Sequence, residues 1–374
     1  LRFQCTSAGK ISWLFLTSLL GVCFCATTAG AGRLHEADLQ KDLCDLRSQQ
    51  PNNVPAAGVD FVSESELLVY TVCRGDVVLT RRDESGLAGV DHLKAVILDL
   101  ATGAVKQRFD WPVQGRGATV RVTHGSELLV QRGNLLQLIS TEGKPGAALR
   151  LVKVSPSDQT LVNLSSAVDP IVVVESSDIP GEKTVNGVAI LDSRNLEVLA
   201  DFHDNGESWN IAASSKAVVR TSDGGSRLEL KEFSGGKLPE TWKTIWSGTR
   251  GDSRPVFLNE ENLAFAVANV VLLFKATGKP TERIECNHAL RLRAARDGNA
   301  VGAVCPRVKG KRVGVFPGEV PSNGIEVYRL SPFGPRETVP LDPNLDAGFD
   351  FALSPDGSKV AVIDRMHLTV HELP

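Results

Sequence analysis

Apolar positions in this chain come in short runs broken by turn residues, and within many runs they alternate with polar ones. That is the period of a strand and not of a helix. The C-terminal stretch shows it best. A short apolar run at 349–353 is followed by the turn Ser354-Pro355-Asp356-Gly357, a β-branched run at 359–363, a polar break at Asp364-Arg365, and an alternating run at 368–373. Pro355 presets φ at the second turn position, Asp356 tolerates the bridge region and Gly357 supplies the exit. The pattern predicts three strands of a meander.

Weaker copies recur upstream. Unit one has strands at 59–62, 67–73, 93–100 and 104–111; unit two at 119–124, 127–131, 134–140 and 147–153; unit three at 160–164, 170–175, 187–192 and 196–202. Unit four has 209–213, 217–221, 227–233 and 241–246; unit five 254–258, 262–267, 270–275 and 282–286; unit six 288–294, 300–305, 324–330 and 336–341. Repeats of about 35 to 55 residues that each read as a four-stranded sheet predict β-propeller blades, which bury their apolar faces only by stacking on neighbours. The expectation is an all-β fold, a seven-bladed β-propeller of four-stranded antiparallel blades. Unit seven shows three strands, so a strand from within 33–47 is expected to complete it and cover its open edge. Two β-sandwich domains are the alternative.

The N-terminus differs in kind. Arg2 and Lys10 precede an apolar run at 11–26, and the small residues Ala29-Gly30-Ala31 follow. A charged start, an apolar stretch too short to span a bilayer and an A-x-A site read as a secretory signal peptide over 1–31, cleaved near Ala31. A retained membrane anchor is the alternative. Residues 32–57 form an N-terminal segment with a linker at 51–55, and 58–374 the propeller. The mature chain is read as secreted or periplasmic, without a membrane span and monomeric.

That compartment bears on the cysteines. Beyond the leader remain Cys44, Cys73, Cys286 and Cys305. An even number in an oxidising setting allows disulfides, with free buried thiols as the alternative. Cys305 ends a second strand whose antiparallel partner starts near residue 288, which suggests a Cys286–Cys305 bridge. Cys44–Cys73 would pin the N-terminal segment beside unit one. Forty-one Lys and Arg against 44 Asp and Glu leave a formal charge of −3, which offers nucleic acid no basic footprint.

The stretch FALSPDGSKVAVID, residues 351–364, resembles the Ser-Pro-Asp-Gly blade repeat of WD-like and TolB-like bacterial β-propellers. The other units share the layout without the motif: His124-Gly125-Ser126-Glu127 in unit two and Asn259-Glu260-Glu261-Asn262 in unit five occupy that turn. The resemblance implies a blade. Propellers of this kind are mostly binding platforms, while others host hydrolases, lyases and quinone-dependent dehydrogenases, so the fold does not choose among activities.

Catalytic motifs are missing from the sequence. The seven histidines are scattered singly, there is no G-x-S-x-G elbow, and no Cys/His or Asp spacing suits zinc or calcium. His371, alternating with apolar neighbours, is expected to face outward, and His288 to lie near the channel mouth. No cofactor is expected. Loop length carries more information. The three longest connections, 74–92, 176–186 and 306–323, all join second to third strands and therefore share one face. Rim loops on a rigid scaffold commonly bind. Arg307, Lys309, Lys311 and Arg312 in the third, with Arg81 and Arg82 in the first, form a candidate basic patch. The expected partner is an anionic polysaccharide or a protein. The sequence thus reads as a binding or protein-interaction module, with a propeller-type enzyme of dispersed active site as the alternative.

Overall fold

The computed structural model describes residues 32–44, 57–73, 91–113, 118–151, 159–165, 167–177, 185–204, 210–234, 236–248, 255–267, 270–275, 280–285, 291–304, 324–330, 337–341, 349–364 and 366–374. They form seven four-stranded antiparallel sheets arranged in a ring, a seven-bladed β-propeller. In the first six blades four consecutive strands lie side by side, the first innermost. Those innermost strands are Ala57–Phe61, Ala118–Val122, Gln159–Leu164, Ile211–Ala213, Val256–Phe257 and Leu292–Ala294. Blade seven runs Asp350–Leu353, Lys359–Asp364 and His367–Glu372 and then takes Gly32–Asp38 as its fourth strand. Gly32 lies opposite Glu372 and Asp38 opposite His367. The N-terminal strand therefore closes the ring.

Seven apolar layers hold the ring, one between each pair of neighbouring blades. Val59, Phe61, Leu67 and Val69 of blade one meet Ala361, Ile363, Leu368 and Val370 of blade seven. Leu136 and Leu138 of blade two meet Ile171 and Val173 of blade three. Aromatic rings reinforce this around blade four: Trp242 meets Phe202 of blade three edge-on at 5.8 Å, and Trp246 meets Phe265 of blade five at 5.6 Å. Each sheet is thus covered on both faces, and alternation along a strand sorts residues between two neighbours and not between core and solvent. This corrects the expectation for His371. Leu368 and Val370 face blade one, Leu373 faces blade six, and His371, in step with Leu373, is buried.

The Ser-Pro-Asp-Gly turn is a hydrogen-bonded unit. Ser354 Oγ donates to Asp356 Oδ1 at 2.7 Å, and the same carboxylate accepts the Ser358 amide at 2.8 Å. Gly357 has φ +71°, and a Cβ there would sit 2.6 Å from the Ala300 methyl of blade six, so glycine is required twice over. The Asp356 amide donates to Glu64 of blade one at 2.7 Å. Turn chemistry and blade packing are the same feature here.

Beyond its strand the N-terminal segment continues along blade one. The Leu39 amide donates to the Met366 carbonyl at 3.0 Å, Leu39, Leu43 and Cys44 are buried between blades seven and one, and Arg108 pairs with Asp42 at 2.6 Å. A disulfide joins Cys44 to Cys73, with Cα atoms 5.8 Å apart. Cys286 and Cys305 lie outside the described residues.

Candidate functional site

Innermost strands line the central channel, so a charged residue within one of them meets other blades. Five positions stand out. Val62, Thr123, Ala295 and Ser354 each open the first turn of their blade with an amide hydrogen bond back across it. Asp60, Arg121 and Arg293 lie two residues before those openings, and Arg291 and Asp350 lie four before. With a period of two all five share one phase along their strands; Asp60, Arg121, Arg291 and Arg293 line the central cavity, and Asp350 bonds to two of them.

Asp350 is the hub. One carboxylate oxygen accepts Arg293 Nη2 of blade six at 2.9 Å; the other accepts Arg121 Nη1 of blade two and the Val59 amide of blade one, each at 3.4 Å. Burial pushes this carboxyl up, but Arg293, Arg121 and Arg291 outweigh it and hold it below the usual carboxylate range. Asp60 goes the other way. Its oxygens accept the Phe61 and Val122 amides at 3.0 Å, yet burial outweighs the nearby arginines and raises it above the usual range. Arg291 donates to the Phe349 carbonyl and lies over the Phe349 ring at 5.1 Å. Burial lowers its pKa, Asp350 opposes this, and Arg293 and Arg121 act as like charges.

A sixth charge closes one end. Arg296 of blade six reaches past blade seven to the Phe61 and Val62 carbonyls of blade one and to Ser126 Oγ of blade two, the last at 2.7 Å. Ser126 holds a left-handed backbone, φ 67°, a strained conformation at the residue that receives the guanidinium. The first-to-second strand turns lie at this end of the channel.

Between the walls lies a cavity of about 480 Å³. One side carries Asp60, Arg121, Arg291 and Arg293 from blades one, two and six; the other is built of Val162, Leu164, Val172, Ile211 and Val256 from blades three, four and five together with the polar Ser165 and Asn210. Small residues such as Ala212 and Ala213 leave the apolar side open. Among the described residues no three or more His, Cys, Asp or Glu side chains converge as metal ligands, and no helix is long and apolar enough to cross a membrane.

The sequence-predicted rim residues Arg81, Arg82, Arg307, Lys309, Lys311 and Arg312 lie outside the described residues, as does His288. The channel charges are a different set. No motif marks them in the sequence, because each innermost strand holds only one or two such charges, although the common step back from the turn is there to be read.

No protein-family model matches the chain, and no curated protein matches it. Solved structures do match. A functionally unknown protein from Desulfotomaculum acetoxidans is similar over 74% of this chain and 88% of its own, with 13% identity and a TM-score of 0.52. A chain of a mitotic checkpoint complex matches over 99% of both chains at 12% identity and TM-score 0.52, and Hsv2 of Kluyveromyces lactis over 83% and 90% at 10% and 0.50. At these identities the likeness is one of fold, and the fold is the β-propeller.

Proposed function

We propose that this protein is a secreted binding module whose ligand enters the central channel. The observation that carries the reading is the cavity of about 480 Å³ at the ring's axis, within the size range of small-molecule sites and lined by side chains from separate blades. Its charges are arranged to hold shape. Asp350 joins blades one, two, six and seven, and Arg296 stops the channel at one end. A pocket whose polar groups are fixed by the scaffold suits recognition, because little ordering cost remains for the ligand to meet. The basic loop residues Arg307, Lys309, Lys311 and Arg312, with Arg81 and Arg82, would add an anionic macromolecule as partner at the face opposite Arg296, through the second-to-third strand connections.

One observation favours an enzyme as the second reading. Asp60 and Asp350 share the channel with pKa values pushed apart, up for Asp60 and down for Asp350, which is how a site separates a general acid from an ionised carboxylate. A hydrolase or lyase would use that pair.

Thermal unfolding against small acids, neutral sugars, peptides, acidic oligosaccharides and divalent metals tests the proposal. A ligand at a hundredfold excess over its dissociation constant adds about 2.7 kcal/mol of apparent stability. The expected result is a stabilising ligand whose effect disappears in Ala212→Phe, which fills the channel. A ligand whose effect survives Ala212→Phe but is lost on Lys309→Glu/Lys311→Glu places binding on the rim. Turnover that is lost in Asp60→Asn while binding persists establishes the enzyme.

A further inference from the structure

The charged groups of the cavity are answered by the protein itself. Arg121 and Arg293 donate to Asp350, Arg291 donates to the Phe349 carbonyl, and Asp60 accepts two backbone amides. A ligand is therefore not required to bring a countercharge. The uncharged polar groups differ. Ser165 Oγ donates to the Phe257 carbonyl at 2.7 Å and keeps its capacity to accept. Asn210 also lines the cavity and is half-buried. Its backbone carbonyl accepts the Thr221 amide at 3.1 Å, but among the described residues its side-chain amide has no hydrogen-bond partner. A carboxamide with donors and an acceptor to offer thus stands in the cavity wall.

Asn210 lies four residues before Ser214, which opens the first turn of blade four with an amide bond to the Ala217 carbonyl. Arg291 and Asp350 lie at the same step in blades six and seven. So does Thr119 in blade two, whose hydroxyl meets Tyr70 Oη at 3.1 Å. In a ring of seven, blade four stands across the axis from blades seven and one. Hydrogen-bonding groups therefore occupy opposite sides of one level of the channel, and Val162, Val172, Ile211 and Val256 share the lining with them.

The two sides suit one kind of partner. A guanidinium carries five N–H groups, and Arg121 and Arg293 each place one nitrogen on Asp350, so both can still donate. The Asn210 amide donates and accepts. A hydroxyl does both, a carboxylate only accepts, and a hydrocarbon does neither. From this geometry we infer that the channel binds a neutral sugar, its hydroxyls divided between Asn210 on one side and the wall of Arg121 and Arg293 on the other, and its C–H surface against the valines and Ile211. The inference rests on the binding-module reading and names its ligand class. Asn210 is the residue that selects for a hydroxyl, because a ligand without one leaves the amide unpaired.

Isothermal titration and thermal unfolding of the intact chain test it. The probes are methyl glucoside, methyl galactoside, methyl mannoside, maltose and cellobiose, with glucuronate as the charged counterpart and cyclohexanol as a ring with a single hydroxyl. At least one neutral sugar is expected to bind and raise the melting temperature, with glucuronate and cyclohexanol weaker at equal concentration. Asn210→Leu, which keeps the volume and removes the amide, is expected to weaken that sugar about tenfold or more. Affinity within about twofold of the parent would overturn the role of Asn210. Glucuronate binding as well as the neutral sugars overturns the charge argument, and cyclohexanol matching them overturns the hydroxyl argument. These two comparisons use the unaltered protein, so they hold even where Asn210→Leu does not fold. No response to any neutral sugar, beside an Ala212→Phe-sensitive response to an acid or peptide, sinks this inference and leaves the channel reading standing. No Ala212→Phe-sensitive response to any probe sinks both.

Discussion

The two halves of the channel are built on different principles. Across blades six, seven, one and two, innermost strands are joined by charged side chains that span the axis. In blades four and five the positions two residues before the turn openings carry Ala212 and Val256, and cross-blade hydrogen bonds sit near the turns. Ser165 Oγ donates to the Phe257 carbonyl at 2.7 Å, and the Ser215 amide to Glu260 at 2.7 Å. The charged half also contains the seam, where the two ends of the described chain share one blade. Blades three to five combine apolar layers and turn contacts with buried cations over aromatic rings, such as Lys231 over Phe202 at 5.1 Å, while the seam is fastened by strand pairing, a disulfide and a buried ionic hub. The ring places its directional bonds where closure depends on partners far apart in sequence.

The sharpest way to break that contrast is Asp350→Ala. It strands Arg121, Arg293 and the Val59 amide, and removing one partner of a buried pair costs about 3–5 kcal/mol. Urea unfolding at neutral pH measures it, and a loss under about 1 kcal/mol would show the hub to be solvated. Next comes the seam's covalent tie. Opening Cys44–Cys73 as the double serine variant is expected to cost about 3 kcal/mol, seen as a lower melting temperature in the absence of reductant. On the other half, Ile211→Val is expected to cost about 1 kcal/mol by loss of one methylene, unchanged between pH 4 and 7.

The smallest effect separates the two carboxylates by sign. Asp350 is held below its ordinary value, so its contribution is present above the ordinary carboxylate range and is lost as pH falls through the folded value. Asp60 is raised, so its contribution is greatest in acid and declines as pH rises from the ordinary value through the raised one. Replacing Asp60 by Asn is therefore expected to leave neutral stability within about 1 kcal/mol of the parent and to relieve the decline toward neutral pH. Asp350→Asn does the reverse, removing the loss seen in acid. Urea midpoints across pH check both, and parallel curves for the two variants would refute the assignment.

The seven blades were legible because each unit alternates in short runs and breaks at turns, a local signal that tertiary packing reinforces. Residues 262–267 and 270–275 fall on the strands Asn262–Val267 and Val270–Lys275. Ring closure was legible from blade seven's missing strand and its exposed edge. Alternation around His371 suggests core against solvent, the rule for a one-sided sheet, whereas blade seven is covered on both faces and buries it. The channel network lay further from view. Arg121 and Asp350 are 229 residues apart, and only a closed ring tells which lone charges meet. Arg296 was hidden more deeply, since it reaches across a whole blade and nothing near it in sequence signals that reach.

Closure by the first strand also sets the order of events when the protein is made. Glu36 is synthesised before its ring-closing partner His367, which follows 331 residues later. Blades one to six can stack as they emerge, but the strand Gly32–Asp38 waits unpaired until the final meander exists. Bringing such distant ends together costs loop entropy that grows slowly with length, about 5 kcal/mol for a flexible chain of this span. A ribosome that stops a few codons short of Glu372 therefore leaves an unsatisfied strand on two edges, and the unfinished chain is a template for pairing with its neighbours.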